Sequence, residues 1–144
     1  MTEPLITVET VIDADAAAVW DGLTRKKSAM FLDADVETDW RQGSPLKMSG
    51  EFQGKRFEDH GEVRTAVPQR QLAFTHFSGS QEVRGNLIDI RLEPEGERTR
   101  VALSQTPLDG ARPDETTIAQ FRKNWAMMLD KLKHAVKERS SAAA

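Results

Sequence analysis

The sequence predicts an α+β domain: a curved seven-stranded antiparallel sheet, two short N-terminal helices and a long C-terminal helix over a central cavity. Three observations carry this expectation. Apolar residues alternate with polar ones, with turn residues between the runs, from Asp33 to about Leu103. The last third, from Ile118 to Val136, places apolar residues at steps of three and four over about five turns. A β-branched run ahead of both, Leu5 to Ile12, leads into an alanine-rich segment.

Each element has its own signal. Ile6, Thr7, Val8, Thr10, Val11 and Ile12 form the first strand. Asp13-Ala14-Asp15 supplies capping carboxylates for a helix beginning at Ala16, in which Val19, Trp20 and Leu23 share a face. A second short helix is expected from Arg25 to Phe31, where Met30 and Phe31 extend the apolar stripe. Val36, Thr38 and Trp40 then alternate, as do Leu46, Met48, Gly50 and Phe52. Phe57 to Val67, Leu72 to Phe77, Ile88 to Leu92, and Val101 with Leu103 complete the strands, the loop from Gly79 to Gly85 lying between the fourth of these runs and the next. Pro113-Asp114-Glu115 opens the long helix with an acidic first turn. Its stripe is Ile118, Phe121, Trp125, Met128, Leu129, Leu132 and Val136. A twisted sheet curves, so a straight helix cannot touch it everywhere, and the gap between them is the natural place for a cavity.

Composition narrows the function. The 144 residues carry 20 Lys and Arg against 23 Asp and Glu, a formal net charge of -3, which disfavours nucleic acid as a partner. Cys and Tyr are both absent, which removes disulfides, thiolate chemistry and phenolic acid–base groups. No apolar run approaches the ~20 residues of a membrane span, and the first residues lack a signal-peptide pattern. A cytoplasmic location without membrane insertion is therefore expected. Residues 1–139 read as a single domain, and 140–144 as a flexible tail of small residues.

The three histidines, His60, His76 and His134, are scattered and form no metal-ligand spacing, so neither a metal nor another cofactor is expected. There is no Gly-x-Ser-x-Gly elbow and no phosphate-binding glycine loop. His76 alternates with Leu72 and Phe74 and points inward if they do, where a neutral imidazole can bond a ligand or act as a base. Asp59-His60-x-Glu62 is a second polar cluster. His60 and Glu62 share one strand face with Arg64, whereas Asp59 faces away, an arrangement ordinarily explained by exposed salt bridges. Asp89 is expected to face solvent with Arg91. Trp40, Met48, Phe52, Phe74, Phe121, Trp125 and Met128 are candidates for an aromatic, methionine-rich cavity lining, although each taken alone is an ordinary core residue.

The order of several short motifs resembles the activator-of-heat-shock-protein-90-ATPase-like family of the START-like (SRPBCC) superfamily. These motifs are Val19-Trp20-Asp21-Gly22-Leu23-Thr24, Asp39-Trp40-Arg41-Gln42-Gly43, Gly61-Glu62-Val63 with Val67-Pro68, Leu72-Ala73-Phe74-Thr75, Leu92-Glu93-Pro94 through Thr99, and Trp125 with Leu129 and Leu132. The likeness spans about residues 5 to 138. It implies the helix-grip fold and a pocket between sheet and long helix. Where the family often carries Trp, His and Gly, this chain has His76, Gln105 and Asn124, so the pocket's polarity differs.

The resulting expectation is a helix-grip domain that binds a hydrophobic small molecule, lipid-like or aromatic. Its ligand-binding residues are Trp40, Met48, Phe52, Phe74, His76, Gln105, Phe121, Trp125 and Met128. One alternative is an enzyme of cyclase, dehydratase or hydrolase type using His76, with an inward acid that alternation alone does not identify. Another is a chaperone-related or other protein-interaction module. Homodimerisation through a strand edge or the helix is left open.

Overall fold

A computed structural model describes residues 3–31, 34–78 and 85–143. Its elements are β1 (Ile6–Ile12), α1 (Ala16–Thr24), β2 (Asp35–Glu37), β3 (Pro45–Phe52), β4 (Lys55–Val67), β5 (Gln71–Ser78), β6 (Asn86–Glu95), β7 (Arg98–Pro107) and α2 (Glu115–Ala143), with a 3₁₀ turn at Ala29–Phe31. The seven strands form one sheet in the order β1-β7-β6-β5-β4-β3-β2, every neighbouring pair antiparallel. The expected strand count and long helix are therefore present. Most of the expected loop between β5 and β6 lies outside the described residues.

Local chemistry accounts for the element ends. Asp15 caps α1 by accepting a hydrogen bond from the Ala18 N–H at 2.9 Å. Asp114 does the same for α2 through the Thr117 N–H at 2.8 Å. Hydrogen bonds from the Thr117 side chain and backbone hold the Asp114 carboxyl below its ordinary pKa. Gln53 and Gly54, with φ of 54° and 80°, make the two-residue turn between β3 and β4. Positive φ at both centres is the geometry that matches strand twist in such a hairpin. The backbone of α2 stays helical through Ala143, into the stretch expected to be a flexible tail.

The second N-terminal helix is replaced by the single 3₁₀ turn at Ala29–Phe31. The chain leaves α1 at Arg25 with an extended ψ of 151°. The Lys26 carbonyl then accepts from the Val36 N–H at 2.7 Å, and Lys27 bridges to Asp35 as in an antiparallel pair. Backbone groups committed to β2 are unavailable for a continuing helix. The Lys27 ammonium lies 3.0 Å from Asp35 and, through that hydrogen bond, lowers the carboxyl pKa.

The core lies between the sheet and the two helices. Ile12, Val19, Leu23, Leu72, Phe74, Ile88, Ile90, Val101, Leu103 and Leu132 are all fully buried in it. The backbone of α2 comes closest to β1, α1 and the 3₁₀ turn, and stands away from the middle strands. That stand-off opens the space in which the site lies. One buried polar link ties distant parts together: Thr99 Oγ1 donates to the Ala14 carbonyl at 2.8 Å across 85 residues. Thr99→Val removes the donor at nearly constant volume and leaves that acceptor without its partner. The expected loss is ~1–3 kcal/mol in urea unfolding; a midpoint unchanged from wild type would show that the bond contributes nothing.

Candidate functional site

Between α2 and the middle strands lies a pocket of about 680 Å³, within the range typical of small-molecule sites. Phe31, Met48, Phe74, Phe121, Trp125 and Met128 supply most of its apolar wall. Phe74 is fully buried and meets the edge of Phe31 in a T-shaped contact, with centroids 5.9 Å apart and planes at 75°. Gln53, Lys55, Arg56 and Phe57 line the solvent-facing end, reached through the β3–β4 hairpin.

Two polar features stand in this wall. Trp125 Nε1 donates to Gln105 Oε1 in a buried contact that joins α2 to β7. On the adjoining strands, His76 Nε2 donates to Asp59 Oδ2 at 2.9 Å, with both side chains about four-fifths buried. Pairing of Asp59 with Ser78 and of His60 with Phe77 puts Gly61 across from His76, so Asp59 reaches the imidazole diagonally. A carboxylate only accepts, which places the proton of a neutral imidazole on Nε2 and leaves the Nδ1 lone pair free of that bond.

Seven of the expected residues, Met48, Phe74, His76, Gln105, Phe121, Trp125 and Met128, line the pocket together. The Phe52 side chain lies outside the described residues. Trp40 is elsewhere. It has φ of 56° and sits beyond the end of β2, where the Thr38 and Asp39 side chains accept from the N–H groups of Trp40 and Arg41. Its indole donates to the Thr24 carbonyl at 3.1 Å, pinning this loop to the end of α1. Ser44 and Arg41, hydrogen-bonded to Asp39, lower that carboxyl's pKa and hold the turn. Alternation failed at Trp40 because these side chains draw the backbone out of the strand.

Phe31, Phe57, Asp59, Lys55 and Arg56 were missed as site residues. Asp59 is the instructive case. Its facing away from His60 was legible, and that inward direction is what brings it to His76. His60 instead stacks on Phe77 on the other face, with centroids 5.3 Å apart, while Glu62 pairs with Arg64 at 3.3 Å in an exposed position. Asp89 pairs with Arg91 and also accepts from Gln71, away from the pocket lining. Among the described residues, no group of three or more His, Cys, Asp or Glu side chains is placed to hold a metal. Nor is any helix among them long and apolar enough to cross a membrane.

The seven-stranded antiparallel sheet, the long C-terminal helix and the pocket between them make this an α+β domain consistent with the helix-grip arrangement. Residues 13–137 match the family described as Activator of Hsp90 ATPase homolog 1-like protein, and the chain belongs to that family. Solved structures agree with the fold. ChR145 from Cytophaga hutchinsonii is 26% identical with a TM-score of 0.74, and the match covers 94% of each chain. The Aha1 protein from Colwellia psychrerythraea, described as a dimer, is 19% identical with a TM-score of 0.68, covering 91% of this chain and 94% of that one. CalU16 from Micromonospora echinospora is 20% identical with a TM-score of 0.69, covering 99% and 85%. No curated protein matches the sequence.

Proposed function

We propose that this chain is a cytoplasmic START-like domain, formed by residues 1–139, that binds a hydrophobic small molecule, lipid-like or aromatic, between sheet and long helix. The observation supporting this is the pocket of about 680 Å³ walled by aromatic and methionine side chains. Methionines and partly exposed aromatic rings adapt to an apolar surface at little cost. Met48, Phe74, His76, Gln105, Phe121, Trp125 and Met128 are the proposed contacts. A melting-temperature screen with fatty acids, sterols and flavonoids tests the reading. A ligand at a hundred times its Kd adds ~2.7 kcal/mol of stability. A flat screen, together with an experimental structure in which side chains fill the pocket, would sink it.

A second reading is favoured by the 2.9 Å contact between His76 and Asp59. A histidine oriented by a carboxylate inside a pocket is the arrangement of a general base. The reaction it suits is removal of a proton from carbon beside a carbonyl: the C–H bond breaks, the proton passes to Nδ1, and the electron pair forms an enolate. Returning the proton closes the cycle. Incubation with 2-tetralone in D₂O, followed by NMR, tests it. Exchange beside the carbonyl that disappears in His76→Gln and falls in Asp59→Asn supports catalysis; exchange equal to buffer rejects it.

A further inference from the structure

Building on the pocket as a ligand site, we infer that its ligand is an apolar acid that also carries a hydrogen-bond-accepting oxygen. Gln105 takes that oxygen at the buried end, and Lys55 with Arg56 takes the acid at the open end.

The assignment of Gln105 follows from valence. An indole N–H can only donate, so the partner of Trp125 must be the carbonyl oxygen of the Gln105 amide. The amide NH₂ is then turned away from Trp125. Gln105 is only 3% exposed and lies on the pocket wall. Among the described residues, no side-chain nitrogen or oxygen sealed from solvent lacks a partner, and no protein acceptor meets this NH₂ group. The NH₂ therefore opens onto the pocket. A ligand that covers this donor with hydrocarbon strips it of water without replacing the bond, so the group selects a carbonyl or ether oxygen over plain hydrocarbon.

The opposite end differs in charge. The Gln53-Gly54 turn brings Lys55 and Arg56, both exposed, into the pocket lining. Neither makes an ion pair with a described residue, whereas nearby Lys47 pairs with Glu58 at 3.5 Å. The acid that shares this wall, Asp59, already accepts from His76. Two exposed cations in the lining of an apolar pocket favour an anionic group there, in a field that salt weakens. The apolar wall between the two ends accommodates a rigid ring system.

A matched series tests both halves: 9-oxofluorene-2-carboxylate carries ketone and acid, fluorene-2-carboxylate only the acid, and fluoren-9-one only the ketone. Calorimetric titration is expected to give the first at least a tenfold lower Kd than either of the others. Gln105→Leu should erase the preference for the ketone, so that the two acids bind alike. Gln105→Glu keeps an acceptor for Trp125 and should likewise lose the preference, so the test survives if the leucine variant does not fold. Lys55→Gln with Arg56→Gln should weaken only the two acids, bring 9-oxofluorene-2-carboxylate to the level of the neutral ketone, and remove the salt dependence of both. Equal affinities for ketone and hydrocarbon acids, or for acid and neutral ketone, would overturn the corresponding half with the pocket reading intact. Saturable binding by none of the three would overturn the pocket reading itself.

Discussion

Gly61→Ala is expected to cost about 3 kcal/mol, near the upper end for overpacking a well-packed site. A methyl group built on Gly61 would lie 1.7 Å from the Thr75 carbonyl oxygen and 2.7 Å from its carbon. Both are backbone atoms of the neighbouring strand, so relief requires β4 and β5 to separate. Gly22 provides the contrast. A methyl there meets Val136 Cγ2 at 2.8 Å, Arg139 Nη2 at 2.9 Å and Leu132 Cδ1 at 3.1 Å, all side-chain atoms near rotatable ends. Gly61→Ala should therefore destabilise more than Gly22→Ala when urea midpoints are compared at equal m-value. A loss below that of Gly22→Ala would mean that the close approach of the strands is dispensable. The same approach lets the Glu62 N–H bond Thr75 Oγ1 at 2.9 Å and brings Asp59 within reach of His76. The substitution should accordingly weaken the site as well as the fold.

Phe74→Ala is expected to cost at least as much, ~3–5 kcal/mol, from lost burial and the cavity left behind. Phe74 is fully buried and braces Phe31, yet its ring also faces the pocket. Part of the vacated volume therefore joins the existing pocket. Thermal unfolding should show the loss, and Phe74→Leu should recover most of it because a branched side chain refills the wall. If alanine costs under 1 kcal/mol, the neighbouring side chains must collapse into the space, and the pocket wall is softer than its packing implies. Affinity for bulky apolar probes separates the cases: an enlarged pocket accepts larger rings, and a collapsed one rejects them.

These effects show where sequence reading stops. Inward placement of Met48, Phe74 and His76 was legible because strand side chains alternate, and that of Phe121, Trp125 and Met128 because a helix repeats at three and four. Gln105 was chosen because it differs from the residue common in the resembling family. Trp40 was misplaced because three hydrogen-bonding side chains, those of Thr38, Asp39 and Ser44, bend its backbone out of the pattern. Phe31 was assigned to a helix that the pairing of Lys26 and Lys27 with β2 prevents. The second polar group of the site was missed for a different reason. The direction of Asp59 could be read from its own strand, but its partner could not, because partners depend on register across strands.

Periodicity, a local property of one strand or helix, reveals the kind of element along most of the chain and the side that most of its residues face. The seven strands, the long helix and most of the apolar wall follow from it. Packing between elements brings Asp59 to His76, turns the Gln105 amide toward the pocket against Trp125, and sets Lys55 and Arg56 in the pocket lining. Those juxtapositions depend on strand register, on the close approach of β4 and β5 at Gly61, and on the stand-off of α2 from the middle strands. All three are distances between elements, and the hydrophobic pattern of a single element contains none of them.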